Sequence, residues 1–469
     1  MIRKPADTRF LGAERIVRRL HDAGHQALLA GGCVRDLLRG EVPQDYDIAT
    51  SARPPEVEAL FEQAETVGRQ FGVCQVRLDG RTYEVATFRR EWGYSDGRHP
   101  DGVSFCDAQE DASRRDFTVN AMFWDPVTEE LLDYVGGQED LRSGVIRAVG
   151  EPHARFREDH LRLIRAVRFA VRLGFEIEPG TRRAIAELAP LAVQVSAERL
   201  QQELRLILTG PNPAGALRLM DELGMLGHVF PELVAAKGCR QPPNYHPEGD
   251  VFVHSLLTLE KLPPGADFEL ALAALYHDLG KPEASRAGDD AMRFPDHWDI
   301  GARLAEEACR RLRLSNHEAE RICWLVRRHM YFMDARRMRE STLKRLFAEP
   351  GFDQLAELHR ADALASWGNL DSYNYVLERR RNMPPEVAQP PRLISGDDLL
   401  ALGYPPGRLF REVLDKVRDA QLDGAVKGRE EALALAGRLA QSAQHGEAEG
   451  TEQDRGRARG AGEHEHEHE

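Results

Sequence analysis

The chain has 469 residues, 42% of them hydrophobic, which is long enough for several domains of roughly 100 to 200 residues with a sizeable core. No stretch near the start has the pattern of a signal peptide and no apolar run is long enough to span a bilayer; six scattered cysteines without a C-x-x-C pair point to neither a disulfide framework nor a thiolate zinc site, so a cytoplasmic protein with no membrane partner is expected. The formal net charge is −14, of which residues Gly446 to Glu469, with eight acidic and three basic side chains, supply −5; any nucleic acid must therefore be held by local basic faces and less tightly as salt rises.

A helical pattern over Ala13 to Ala23 comes first. Ala27 to Ala30 then read as a short buried strand, Gly31-Gly32 break it, Val34 to Arg39 have helical character, and Asp45-Tyr46-Asp47-Ile48 read as a second strand. A glycine turn against a helix start leaves amide N–H groups for phosphate. Strand alternation puts Asp45 and Asp47 on one face with Tyr46 on the other, and two neighbouring carboxylates repel unless a cation, most naturally Mg²⁺ with nucleotide phosphate oxygens, lies between them. Alone, a Gly-Gly is a tight turn and an Asp-x-Asp pair a solvated strand edge; their order within two dozen residues is the specific signal.

The string GGCVRDLLRGEVPQDYDIAT resembles the signature of the class II tRNA nucleotidyltransferases and bacterial poly(A) polymerases of the polymerase-beta superfamily. That resemblance implies that Gly31, Gly32 and Arg35 approach a triphosphate, and that Asp45 and Asp47 are catalytic and bind two Mg²⁺ ions.

Further along, Pro54-Pro55-Glu56 opens a short helix, and Phe71 to Leu78 and Arg81 to Phe88 alternate as two strands joined by the hairpin signal Asp79-Gly80. Glu84 in the second strand is a candidate third carboxylate, or an ordinary strand-face glutamate. Residues 89 to 113 have the composition of a long flexible loop, and the resemblance gives it a part in switching from C to A addition. Arg114 to Ala121, RRDFTVNA, resembles a family motif whose Arg115, Asp116 and Asn120 offer a phosphate donor, an acceptor for a ribose hydroxyl and an amide; otherwise Arg115-Asp116 is a surface ion pair. Asp133 to Gly150 resembles the segment linking head to neck.

From Arg157 a helix is expected, with Leu161, Ile164, Val167 and Val171 apolar, Arg162, Arg165, Arg168 and Arg172 along one side, and Gly174 as the stop. The start EDHLR resembles the family motif in which an aspartate and an arginine, here Asp159 and Arg162, face the Watson-Crick edge of the incoming nucleotide. A carboxylate only accepts and a guanidinium only donates, which suits the exocyclic amine and ring acceptors of cytosine or adenine and leaves uracil and guanine with unpaired groups, a rejection of roughly 10⁴-fold. Arg165 and Arg168 are further nucleotide-side candidates; the plain alternative is a basic solvated helix face.

Ser196 reads as an N-cap, and Glu198-Arg199-Leu200 resembles the last neck motif. Beyond it the chain reads as helical to about Ala440. His254, the run Tyr276-His277-Asp278-Leu279-Gly280-Lys281, His297, His329 and Asp362 resemble an HD phosphohydrolase domain, implying a second divalent metal on His254, His277, Asp278 and Asp362, with His297 and His329 lining the site. Leu393 to Ala434, with a capping-box pattern at Ser395 and Asp398, resembles the family's tRNA-holding tail.

The expected architecture is α+β: a nucleotidyltransferase head with a small mixed β-sheet over 1–150, a helical neck over 151–237, a helical body with the HD motif over 238–383, a helical tail over 384–440 and a disordered acidic tail over 441–469. The expected reaction is untemplated addition of nucleotides from CTP and ATP to the tRNA 3′ end, CCA addition. Partial (CC or A) addition and poly(A) synthesis share the motifs, and a metal phosphohydrolase with the head as an RNA-binding module is the rival from another class.

Overall fold

The computed structural model describes residues 2–67, 72–94, 97, 100–244, 246–247, 249–285, 293–404 and 406–441. The expected acidic tail beyond residue 441, Phe71 at the expected start of a strand, and residues 95, 96, 98 and 99 of the expected loop lie outside them. One compact unit runs to Val326 and a second begins at Arg327.

Helix α1 (Thr8–Asp22) starts where the Asp7 side chain accepts the N–H groups of Arg9 and Phe10, and its Phe10, Ala13, Ile16, Val17 and Leu20, three or four apart, are all buried. These pack on one face of a seven-stranded sheet. Its members are β1 (Ala27–Ala30), β2 (Asp47–Thr50), β3 (Ala64–Thr66), β4 (Val73–Leu78), β5 (Arg81–Thr87), and, beyond the strands β6 (Arg89–Trp92) and β7 (Gly102–Phe105), β8 (Phe123–Trp124) and β9 (Leu131–Leu132). The order is β3-β4-β5-β2-β1-β8-β9, with β2 and β5 parallel and the other neighbours antiparallel. Both faces are covered: Leu29, Ile48, Val85 and Trp124 enter the core under α1, while Leu28, Ala30, Ala49 and Phe123 pack with Phe88, Ala108 and Ala112. That is why β1 reads as an unbroken apolar run.

Helices α2 (Gly32–Leu38) and α3 (Pro54–Leu60) join these strands, and the hairpin of β4 and β5 turns at Asp79 and Gly80, both at positive φ. The expected loop over 89 to 113 is not structureless. β6 and β7 form an antiparallel ribbon, and α4 (Ala108–Ser113) follows, capped by Asp107. The ribbon is held by side chains: Arg114 Nε donates to the Arg89 carbonyl at 2.9 Å, and Glu91 accepts from Arg89, Tyr94 and Arg114.

After α5 (Gly137–Ser143), β10 (Val145–Ile146) pairs in parallel with β11 (Glu176–Ile177). Between these two strands the single expected helix from Arg157 is two helices, α6 (Pro152–Glu158) and α7 (Leu161–Leu173), with Asp159 extended between them at φ −144°. Gly174 ends α7 in the left-handed conformation. Next come α8 (Pro179–Leu188) and α9 (Ala197–Leu208); Ser196 occupies the N-cap position of α9 without a side-chain capping bond. Further helices of this unit include Val251–Glu260, Phe268–Tyr276 and His297–Arg311. In the second unit, helices Glu340–Ala348, Phe352–Ala365, Asp371–Arg381, Gly396–Ala401 and Arg408–Leu422 are followed by one over 429–441, and Ser395 N–H donates to Asp398 as the capping-box pattern requires.

Candidate active site

Gly31 has φ +75° and ψ −131°, a region only glycine enters without strain, and a Cβ there would stand 3.0 Å from Arg115 Nη1. The turn it makes lets β1 run against β2 with Ala30 opposite Asp47. β2 runs parallel to β5 with Ile48 beside Val85, so one step back Asp47 stands beside Glu84. Asp45 precedes the strand, which begins only at Asp47, yet the alternation persists: Tyr46 is buried, its hydroxyl 2.9 Å from Asp7 Oδ2, while Asp45, Asp47 and Glu84 are exposed. All three border a cavity of about 680 Å³. Desolvation by the surrounding cavity wall, then Glu84, push the Asp47 carboxyl up to about 6 although the residue keeps an accessible edge, with Arg115 opposing and Asp45 adding to the rise. A carboxyl raised by its carboxylate neighbours belongs to a donor set suited to a hard divalent cation.

Gly31, Gly32 and Arg35 border the same cavity. Arg35 is buried; its Nη1 donates to Asn120 Oδ1 at 2.5 Å and its Nε to Asp36 at 2.8 Å. Arg115 and Asp116, also at the cavity, do not pair with each other. Arg115 binds Asp111 and lies over the Phe123 ring, whereas Asp116 takes two bonds from Arg165, at 2.9 and 2.7 Å. Burial pushes the Asp116 carboxyl up, but Arg165 outweighs it and holds the group below the usual carboxylate range.

Of the expected basic stripe of α7 only Arg172 is exposed. Arg162 and Arg168 are buried, Arg168 Nε donates to Glu203 of α9 at 2.5 Å, Arg165 reaches the same glutamate at 3.3 Å, and Arg35, Arg165 and Arg168 crowd the Phe169 ring. Asp159 lies in the junction between α6 and α7 and Arg162 in the first turn of α7, so the two do not share one helix. Both oxygens of Asp159 are gripped by Arg199 of α9, at 2.9 and 2.8 Å, while Asp159 Oδ1 also takes the Leu161 N–H. Arg162 spends three of its five N–H groups on Glu158 and the carbonyls of Arg155 and Arg114. The ribbon reaches this junction: His160 N–H donates to the Gly97 carbonyl, and a Cβ on Gly97 would collide with the His160 ring. Asp159, Arg162, Arg165, Arg168 and Arg199 all border the large cavity. Sequence reasoning missed Arg199 and Glu203 as parts of this site; the run Glu198-Arg199-Leu200 was the available signal.

A second cluster surrounds Asp278. Its carboxylate lies 3.3 Å from His277 Nε2, 3.7 Å from His254 Nε2, 3.5 Å from His297 Nε2 and 2.6 Å from Lys281 Nζ, all buried. His277 Nδ1 and His297 Nδ1 each meet a backbone carbonyl, of Ala274 and Phe294. A carbonyl only accepts, so those nitrogens carry the protons and the Nε2 lone pairs turn toward the carboxylate, an arrangement that a divalent cation satisfies. Burial pushes the Asp278 carboxyl up, but the Lys281 ammonium draws the group well below its ordinary value. Asp362 and His329 belong to the second unit, Asp362 on helix Phe352–Ala365.

Comparison with known proteins follows the same division. Residues 27–147 match the poly A polymerase head domain family, 174–237 the family described as a probable RNA and SrmB-binding site of polymerase A, and 251–367 the HD domain family. The CCA-adding enzyme of Geobacillus stearothermophilus is 32% identical over 432 residues, covering 92% of this chain and 96% of that protein. That of Geobacillus thermodenitrificans is 45% identical over 223 residues, 47% of this chain and 54% of that one. The crystal structure of the Bacillus stearothermophilus CCA-adding enzyme in complex with CTP superposes with a TM-score of 0.69 at 29% identity, covering 94% of this chain and all of that one.

Proposed function

The chain belongs to the CCA-adding enzyme family, and we propose on that footing that it is a tRNA nucleotidyltransferase that builds the CCA end from CTP and ATP with its own side chains as template. The observation that carries the reading is one cavity bordered by Asp45 and Asp47 on one side and by Asp159, Arg162 and Arg199 on another.

The tRNA 3′-hydroxyl oxygen bonds to the α-phosphorus of the bound nucleotide, the bond to the β-phosphate breaks, pyrophosphate leaves with the electron pair, and the hydroxyl proton passes to solvent. Asp45 and Asp47, with Glu84 as third carboxylate, would hold two Mg²⁺ ions, which supply activation of the attacking oxygen and neutralisation of the leaving group. The turn at Gly31-Gly32, with Arg35 and Arg115, borders the triphosphate, and Asn120 is locked between Arg35 and Asp116.

Base choice rests on Asp159 and Arg162. With Arg199 gripping one side of the carboxylate, its remaining lone pairs accept the exocyclic amine of cytosine or adenine. Arg162 retains two N–H donors among the described residues, which matches N3 and O2 of cytosine; adenine uses one, at N1. Uracil presents O4 to the carboxylate and an N–H to the guanidinium, so both contacts fail. The ribbon meeting His160 offers a lever on this junction for the change from C to A.

The experiment offers tRNA ending at the discriminator base, at C and at CC, with each nucleoside triphosphate in turn. Sequential addition of two C and one A, with UTP and GTP refused, supports the reading; continued A addition or a stop after CC overturns it. Asp45→Ala removes incorporation.

The Asp278 cluster supports a second reading beside the first, a further divalent-metal site on His254, His277 and Asp278. His277→Ala, compared with the parent by metal analysis after dialysis, loses bound metal while CTP incorporation persists. Equal metal content refutes it.

A further inference from the structure

Of the three clustered carboxylates, Asp45 is the one that no strand carries: β2 begins at Asp47, whose ladder partner is Ala30, and Glu84 lies within β5. Its backbone is bracketed instead by the first turn of α1. Arg9 Nη1 donates to the carbonyl of Gln44, the residue before Asp45, at 2.6 Å, and Asp7 Oδ2 accepts the hydroxyl of Tyr46, the residue after it, at 2.9 Å. The other Asp7 oxygen caps α1 by accepting the N–H groups of Arg9 and Phe10, at 2.8 and 3.0 Å, so one carboxylate fastens the helix start to the segment bearing Asp45. The Phe10 ring meets the buried Tyr46 ring edge-on at 5.8 Å and stacks on Trp124 of β8 at 6.0 Å. The same turn reaches β5: the hydroxyl of Tyr83, the residue before Glu84, donates to the Arg9 carbonyl at 3.1 Å, and Gly12 leaves room for that ring, since a Cβ there would collide with Oη.

We propose that Asp7 is a positioning residue for the reaction: through Tyr46 it fixes the direction in which Asp45 leaves the backbone, and with it the spacing of Asp45 from Asp47 and Glu84. This rests on the reading of those carboxylates as the set that holds Mg²⁺. Neighbouring residues of an extended segment point to opposite sides, so a Tyr46 ring pinned in the core turns Asp45 and Asp47 to the cavity. Without a cation between them the carboxylates repel, and the one outside the ladder is the one able to swing away. Mg²⁺ tolerates little departure from octahedral geometry, so a small swing costs affinity. A hydrogen bond anchored on a helix cap opposes that swing from the core side, and Asp7 itself does not border the large cavity.

The test reads Mn²⁺ binding to the full chain by electron paramagnetic resonance, without nucleotide or RNA, beside Mg²⁺-dependent incorporation from CTP into a minihelix RNA. Asp45→Ala identifies the component of Mn²⁺ binding that belongs to the head. Tyr46→Phe, which keeps the ring and removes only the hydroxyl, and Asp7→Ala each weaken that component and raise the Mg²⁺ concentration for half-maximal incorporation by roughly tenfold, the lower end of the losses found when a group that orients a metal ligand is removed. Raised Mg²⁺ restores incorporation, and the KM values for CTP and RNA at saturating Mg²⁺ stay as in the parent. Asp7→Asn recovers most of the loss, because its carbonyl still caps α1 and its amide can donate to the Tyr46 oxygen. The double variant Asp7→Ala/Tyr46→Phe loses no more than Asp7→Ala alone, as the two ends of one contact should. Mn²⁺ affinity within about twofold of the parent in both Tyr46→Phe and Asp7→Ala overturns the proposal. So does a lowered melting temperature with incorporation that no Mg²⁺ concentration restores. An Asp45→Ala protein that binds Mn²⁺ like the parent overturns the reading of the carboxylates as metal ligands, and the proposal with it.

Discussion

Replacing Arg199 by alanine isolates the contribution of carboxylate orientation to base choice. The guanidinium makes one bond to each oxygen of Asp159, at 2.9 and 2.8 Å, and both side chains are about one-fifth exposed. Hydrogen bonds to charged groups are worth roughly 1.5 to 3 kcal/mol when buried, and partial exposure brings the pair to about 1 to 2 kcal/mol. Released, Asp159 gains rotamer freedom and a water shell, and a bridging water can then serve uracil O4 as well as an amine. The expected result is a fall of roughly 5- to 30-fold in kcat/KM for CTP, with a similar fall in the ratio of CTP to UTP. Arg199→Lys is intermediate, because an ammonium lacks the planar fork that engages both oxygens at once. Single-nucleotide incorporation into a minihelix, each triphosphate separately, measures the ratio. An unchanged ratio in Arg199→Ala with a parental melting curve refutes the argument, and an equal loss for all four nucleotides reduces Arg199 to a general binding residue.

Other substitutions test the supports of the site. Glu203→Ala leaves Arg168 buried without its partner and takes one from Arg165, so denaturant unfolding should show a loss of about 3 to 5 kcal/mol, with Glu203→Gln milder. Gly280→Ala places a Cβ 2.0 Å from the His297 carbonyl oxygen and 2.7 Å from Gly301 N, backbone that cannot step aside; a loss of 1 to 3 kcal/mol or more in melting experiments is expected, as for overpacking in general. Burial, then Asp47, push the Cys33 thiol up to about 12, so at pH 8 its thiolate fraction is about 10⁻⁴ and rises tenfold per pH unit. Mass spectrometry after brief iodoacetamide treatment at pH 8 should find Cys33 unmodified in the folded protein and modified after denaturation. Rapid native-state labelling would contradict the burial of the turn.

Features encoded over a few residues were legible in the chain. The strand, glycine pair, helix and Asp-x-Asp order, the Asp79-Gly80 hairpin and the Gly174 stop all depend on local backbone preference, and each forms in the structure. What pairs with what was not legible, because it joins distant positions: Arg35 to Asn120 across 85 residues, Asp116 to Arg165 across 49, Asp159 to Arg199 across 40. The break before α7 contains no glycine or proline; it is held by Asp159 taking the Leu161 N–H while Arg199 grips its carboxylate, so tertiary contact overrides helical periodicity. Likewise the ribbon of β6 and β7 lacks the apolar alternation of a half-buried strand and owes its shape to Arg89, Glu91 and Arg114. Sequence alone determined which residue types stand together along the chain; only the folded structure decided that Arg162 and Arg168 of α7 are buried and that Arg165 and Arg168 share Glu203, because burial and charge pairing are properties of neighbours in space.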